Sequence, residues 1–376
     1  MRIAAELRDV ERAYAALIGL VRAAGGQLHP GLCLHQEGRA LWATVDRQAL
    51  AAAEAPLILV PEPLLVPVAD LHWRAASRLE PTTGLERLSP LQRQVLDQML
   101  ELYALTGKLA DLPLRLPALA LAPGSALALR LQTGHPPWEA GTLSPAEAFL
   151  RTRTLGYPAA PLVADAAGPA RTPVLMPLVD VLNHHPDGAR FKTRPSGVRV
   201  DPWPCGDGGE CYASYGYKDA MTLLLQYGYV AREPRFLQSV ACELRVPGLG
   251  RLVIQGQHHR PHMDLPALEV LADGLSISHV NLDAARPLRA RAILRVLVAG
   301  LHPKLAGAEL DSLAQAAWTA VLHANRGHYQ DLLALGTAEP EVPVTAMIAE
   351  VARHQLGLLE AIGQVASGHE QIPPAA

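Results

Sequence analysis

The chain has 376 residues, of which 49% are hydrophobic and 18% charged, enough apolar material for a sizeable core and two or three domains. Lys and Arg number 33 against 36 Asp and Glu, a net charge of −3 that excludes bulk nucleic-acid binding, since neutralising phosphates needs a strong positive field. Four irregularly spaced cysteines are no disulfide framework and fit a reducing, cytoplasmic compartment.

The first 26 residues carry acids among their apolar positions and predict an amphipathic helix stopped by Gly25-Gly26, rather than a signal peptide. From Gln27 to Val68 short apolar runs alternate with Pro and Gly, which predicts buried strands. The longest run, Leu57–Val68, is broken by Glu62 and several prolines, so no membrane span is expected. Ser89-Pro90-Leu91-Gln92 is a capping box with proline at the first helical position. Val95, Leu96, Met99, Leu102 and Tyr103 follow on one helical face, and Gly107 supplies the stop. A second box, Ser144-Pro145-Ala146-Glu147, opens a helix expected to reach Arg153.

Residues 173–218 read as strand again: a buried run VLMPLVDVL, a hairpin through Pro195-Ser196-Gly197, and ECYASYG after the turn at residues 206–209. A short apolar helix, 220–226, ends at Tyr227-Gly228. A last β-like stretch reaches Ile254, and from about Pro266 the Ala/Leu-rich spacing predicts helix throughout. The expected divisions are 1–26, 27–71, a helical insertion over 72–150, 151–256, and a helical lobe over 257–376.

Two segments place polar residues where the local pattern predicts core. In the first, Asp180, Asn183 and His184 close an apolar run and need partners, because an unpaired buried polar group costs roughly 1–3 kcal/mol. In the second, five of the nine tyrosines fall between residues 212 and 229. They make either a packed tyrosine-rich strand and turn, or a narrow aromatic pocket with hydroxyls pointing inward.

PLVDVLNH followed by ECYASYGYKDAMTLLLQYGYV resembles the core of the SET-domain methyltransferases, in the branch of the Rubisco large-subunit lysine and actin-histidine methyltransferases. Residues 37–46, EGRALWATVD, are similar to that family's cofactor loop, and Arg153 stands where the family keeps an arginine. The resemblance implies an α+β SET-type fold of small sheets around a pseudoknot-like core, with a helical insertion and a C-terminal all-helical lobe. It further implies S-adenosylmethionine as cofactor and methylation of a nitrogen.

Carried over, Tyr215 is the catalytic tyrosine, and Tyr227 flanks the cofactor and closes the channel. Asn183 and His184 fix the cofactor, Glu37, Gly38 and Arg39 cradle it, and Arg153 pairs with its carboxylate. Leu155 and Tyr217 border the substrate. Leu155 stands where the actin-histidine enzyme has an asparagine, which suits a lysine alkyl chain better than an imidazole. A protein lysine is therefore the expected acceptor; a histidine, a small amine or a silent binding module are the alternatives. Ala40 replaces a family glycine and favours the last of these.

Other clusters read as structure rather than chemistry. His258, His259 and His262 with Asp264 suggest a solvated loop, and Cys205 with Cys211 lacks the second pair of a zinc site. No metal is expected. Arg286, Arg289, Arg291 and Arg295 read as a solvated helical face. Asp180 reads as a hydrogen-bonding residue rather than a base.

Overall fold

Alternating and helical periods sort this chain into small sheets and amphipathic helices. A computed structural model describes residues 1–46, 48–49, 55–75, 78–158, 171–203, 209–231, 235–256, 265–339 and 341–366. The fold is α+β, in two compact units: Met1–Pro113 with Leu143–Tyr217, and Leu114–Thr142 with Lys218–Ala376.

In the first unit the strands are β1 (Arg2–Ala5), β2 (Gln27–Leu28), β3 (Leu32–Glu37), β4 (Ala40–Val45), β5 (Ile58–Pro61), β6 (Val66–Pro67) and β7 (His72–Ala75). They continue with β8 (Leu79–Thr83), β9 (Thr154–Pro158), β10 (Arg171–Leu175), β11 (Asn183–Arg194), β12 (Gly197–Val200) and β13 (Tyr212–Ser214). Four small sheets result: β1-β3-β4, β6-β10-β9, β13-β11-β12-β5-β2 and β7-β8. In β4 the inward positions Leu41, Ala43 and Val45 alternate with more exposed ones, the period of a strand with one covered face. The helix Arg8–Ala23 buries Val10, Ala13, Tyr14, Leu17, Ile18 and Val21, the stripe of an amphipathic helix, and packs on the helix Pro90–Leu105.

Both capping boxes form, at Ser89 with Gln92 and at Ser144 with Glu147, and the second helix ends at Arg153 as expected. Val95, Leu96, Met99, Leu102 and Tyr103 are the buried face of the first. Two expectations for this unit need correction. Residues 2–5 are a strand parallel to β3 rather than the first turn of the helix. Four residues carry too short a period to announce a strand, and tertiary pairing decides them. The run VLMPLVDVL is not one strand: β10 ends at Leu175 and Val179–Val181 form a 3-10 turn. The break is at Leu178, buried and held at φ +65°, which costs a non-glycine residue roughly 1–2 kcal/mol. Asn183 and His184 therefore begin a strand instead of ending one.

The second unit holds β14 (Phe236–Gln238), β15 (Cys242–Val246), β16 (Gly250–Ile254), β17 (Leu268–Leu271), β18 (Gly274–Ile277) and β19 (Asn281–Asp283), arranged as β15-β16-β18-β17 and β14-β19. The helix Ala220–Tyr227 starts on the Asp219 cap and stops at Gly228 in the left-handed region. Helices Arg289–Leu301, Gly307–Ala338 and Pro343–Ala366 follow. The C-terminal segment is thus helical only from Arg289. Residues 268–283 are strands because their apolar positions alternate about the Gly274 turn, where an added Cβ would stand 1.9 Å from the Arg251 carbonyl.

Trp318, Val321, Tyr329 and Leu332 of the long helix anchor this unit's core. Within it Asn325 is fully satisfied: its Oδ1 accepts the Val240 amide at 3.0 Å, and its Nδ2 donates to Ser239 Oγ at 2.9 Å and the Val321 carbonyl at 2.8 Å. His135 and His328 face each other with ring centroids 5.2 Å apart. Gly134 backs onto the His328 ring, where a Cβ would lie 2.2 Å from its Cε1. Arg286 and Arg295 pair with Asp283 and Asp311, so the arginine cluster is partly tied down. Among the described residues no helix is long and apolar enough to cross a membrane.

Candidate functional site

The polar residues singled out in the sequence meet where three segments of the first unit join. The chain at Glu210-Cys211 bridges to β4, through a Thr44–Glu210 pair and the Cys211 amide on the Ala43 carbonyl at 2.6 Å. It then runs on as β13, parallel to β11, with Asn183 opposite Tyr212 and His184 opposite Ala213. The register breaks between His184 and Ala189, and Gly188 is required there because a Cβ would stand 2.8 Å from the Ala213 backbone. This bulge lets the start of β11 turn away from its later residues.

Tyr215 follows β13 directly. Its hydroxyl donates to the Leu182 carbonyl at 2.7 Å, and its amide donates to His184 Nδ1 at 3.0 Å. The two rings lie 5.1 Å apart, and the Phe191 ring stacks with Tyr215 at 6.2 Å. His184 is 95% buried and serves as an acceptor that fixes the tyrosine backbone. Asn183 is exposed; its Nδ2 donates to Glu210 Oε1 and, at 3.4 Å, to the Leu41 carbonyl of β4. Asn183, His184 and Tyr215 are thus brought together.

The turn Gly38-Arg39 joins β3 to the same β4. Gly38 takes φ +51°, and Ala40 is exposed and keeps its pairing with Glu37. Gln36 ties this turn to the chain start: its Oε1 accepts the Glu6 and Leu7 amides at 3.0 and 3.1 Å, and its Nε2 donates to the Gly38 carbonyl at 2.6 Å. The Gly38 amide donates to Glu6 Oε2 at 2.8 Å, and Arg39 pairs with Asp111. Two donors expected to cradle a ligand are therefore engaged within the protein, while Glu37 is exposed.

Arg153 belongs to a buried cluster that sequence reasoning assembled only in part. Its Nη1 donates to the Asp180 carbonyl at 3.1 Å, and its guanidinium lies 5.6 and 5.9 Å from the Phe149 and Tyr103 ring centres. The Asp180 carboxylate accepts the Tyr103 hydroxyl at 2.5 Å. Burial raises the Asp180 carboxyl above the usual range, opposed by the Arg153 charge and the Tyr103 hydrogen bond. Burial, then the Asp180 charge, raises the Tyr103 phenol as well. Tyr103 was expected only as core; a hydroxyl on the buried face of a helix needs a partner, and that was the available signal.

Leu155 lies half-buried on β9, opposite Val174, and Tyr217 is half-buried at the end of this unit. Tyr227 belongs to the second unit, on the last turn of the helix Ala220–Tyr227. There Lys218 Nζ lies 5.6 Å from its ring centre, and burial pushes the phenol up to about 12. His258, His259, His262, Asp264 and Cys205 lie outside the described residues. Among those described, no three His, Cys, Asp or Glu side chains gather as a metal site.

The donor set suits a ligand bearing a carboxylate. The buried Arg153 Nε meets no acceptor among the described residues, whereas the exposed Asn183 amide, three residues after Asp180, would have to leave Glu210 to join it.

No family model matches the chain, and no curated protein matches it. Among solved structures, the chain is similar to the crystal structure of the SET domain of LSMT bound to methyllysine and AdoHcy, at 13% identity and a TM-score of 0.39, over 95% of this chain and 91% of that one.

Proposed function

We propose that the chain is an S-adenosylmethionine-dependent N-methyltransferase that modifies a lysine side chain of a protein. The observation that carries this reading is the fixed tyrosine: Tyr215 is held at both its hydroxyl and its amide, beside Asn183 and the β4 edge. The order of motifs in the sequence, and their resemblance to SET-domain enzymes, point the same way.

Bound S-adenosylmethionine would supply an electrophilic methyl group on a sulfonium. The chain's own residues have then to hold the acceptor nitrogen in line and keep water out. A hydroxyl whose proton is committed to a carbonyl acts toward other groups as an acceptor, so Tyr215 and the Leu182 carbonyl together present electron-rich oxygens to an amine. The rings of His184 and Phe191 restrict Tyr215 to that orientation. On this reading Leu155 would line an apolar approach, and desolvation there would favour the neutral, nucleophilic amine. Arg153 and Asn183 would hold the carboxylate and amino ends of that cofactor.

A second reading, a binding module without catalysis, draws on one observation: Glu6, Asp111 and Glu210 already occupy the donors of Gly38, Arg39 and Asn183. Calorimetric titration of S-adenosylmethionine into the full chain separates the two. Micromolar binding that is lost in Asn183→Ala but kept in Tyr215→Phe, with methyl transfer lost in Tyr215→Phe, supports the enzyme. Absence of binding up to millimolar cofactor overturns it and leaves the binding module.

A further inference from the structure

We propose that Tyr103 and Asp180 are positioning residues that hold the Arg153 guanidinium ready for a carboxylate ligand. This rests on the methyltransferase reading for the ligand's identity but not for the geometry.

The three side chains share their hydrogen bonds in an uncommon way. In an ordinary ion pair the guanidinium donates directly to the carboxylate, as Arg286 does to Asp283 through Nε at 3.0 Å and Nη2 at 2.8 Å. Here the Asp180 carboxylate is turned to the Tyr103 hydroxyl, and Arg153 reaches the Asp180 backbone carbonyl instead. The Asp180 carboxyl still feels the Arg153 charge, yet Arg153's Nε is buried and unpartnered among the described residues. The Nε atoms of Arg130 and Arg251 are also buried without a partner; what sets Arg153 apart is that the carboxylate beside it is committed to a tyrosine hydroxyl, which leaves that donor open to an incoming acceptor.

The neighbouring elements fix this arrangement. Tyr103 projects from the buried face of the helix Pro90–Leu105, with its ring edge-on to Phe149 at 5.0 Å. Arg153, the last residue of its own helix, lies over both rings. Asp180 is offered by the 3-10 turn that the strained Leu178 sets up. Tyr14 is buried nearby, its phenol raised by burial and by the Asp180 charge, and adds no cation of its own. These contacts hold the guanidinium against the Tyr103 and Phe149 rings and the Asp180 carbonyl. Removing the Tyr103 hydroxyl would release the Asp180 carboxylate to take the guanidinium directly; removing the Asp180 charge would leave Arg153 uncompensated.

The test compares S-adenosylhomocysteine, which carries an amino-acid end with a carboxylate, and 5′-methylthioadenosine, which lacks that whole end, titrated into the full chain and into Tyr103→Phe and Asp180→Asn. A circular-dichroism melt serves as the folding control. Both variants are expected to weaken S-adenosylhomocysteine by about tenfold or more, the scale of one misplaced charge-assisted hydrogen bond, and to leave 5′-methylthioadenosine within about twofold. A merely structural role would weaken both ligands alike, and that outcome, or unchanged affinity for both, overturns the proposal. In parallel, the Arg153 Nε–H proton is followed by NMR, and its exchange is expected to be slow in the native chain and faster in both variants. If the native chain binds neither ligand, the methyltransferase reading fails, and the exchange measurement alone decides the positioning role: slow exchange unaltered by either variant refutes it.

Discussion

Acidification of the helical unit should expose the cost of its buried imidazole pair. His135 and His328 face each other in the core, and burial pushes their pKa values down to about 4 and about 2, with Arg130 lowering both. Neither Nε2 has a partner among the described residues, so neither ring gains a bond by charging. Each folded pKa lies below the unfolded value of about 6.5, so stability is fully present above about pH 6.5 and is lost as pH falls toward the folded values. At about pH 5 the unfolded chain binds almost one proton per histidine, while the folded chain binds almost none. The loss is about 1.4 kcal/mol per pH unit over about 1.5 units, or about 2 kcal/mol per ring and about 4 kcal/mol for the pair. Set against a net stability of roughly 5–15 kcal/mol, this is large. Urea unfolding followed by tryptophan fluorescence, with amide exchange on the helix Gly307–Ala338 to locate the event, measures it at several pH values. The double variant His135→Leu, His328→Leu should lose most of that acid dependence. Equal acid slopes in the variant and the parent chain would refute the reasoning.

Three further outcomes follow from close contacts. Asn325→Leu should destabilise by about 2–4 kcal/mol in thermal melts, because the buried Val240 amide and Ser239 hydroxyl each lose a partner. Gly197→Ala should abolish or severely weaken folding in expression and melting assays, since its φ is +136° and a Cβ would stand 2.0 Å from the Val60 carbonyl. Gln36→Leu should leave the Leu7 amide and the Gly38 carbonyl without their partner, leave the Glu6 amide only its longer bond to the residue 36 carbonyl, and, on the proposed reading, lower S-adenosylmethionine affinity by about tenfold in calorimetry, with a smaller loss of thermal stability.

Local chemistry was the most legible part of this sequence. Ser89 and Ser144 announce their helices because a capping box satisfies orphan amides with residues three apart, and the face from Val95 to Tyr103 is a period that needs no partner to be read. Asp219 and Gly228 bound the helix Ala220–Tyr227 for similar reasons. What escaped depends on distant partners. The strand Arg2–Ala5 exists because β3 lies beside it, and Leu268–Leu271 because β18 does. In the candidate site, Asn183, His184 and Tyr215 were visible as polar residues in apolar surroundings. Glu210 and Tyr103 were not, since their roles appear only once segments far apart in sequence are joined.

The seam at Glu210–Ser214 has a consequence for how the first unit folds and how ligand occupancy can be read. It is held on one side by β4 and on the other by β11, and the Asn183–Leu41 bond across it joins residues 142 positions apart. Contacts so remote repay their loop-closure entropy only after most of the chain is ordered, so the seam belongs to the slow, late part of assembly. By the same connectivity, fraying of any one of the three segments dissolves the site. A ligand that binds only the assembled seam then draws on the stability of the whole unit: at a hundredfold excess over its Kd it would add about 2.7 kcal/mol. The melting transition of the first unit is therefore a reporter of occupancy, sensitive even to a ligand that is never turned over.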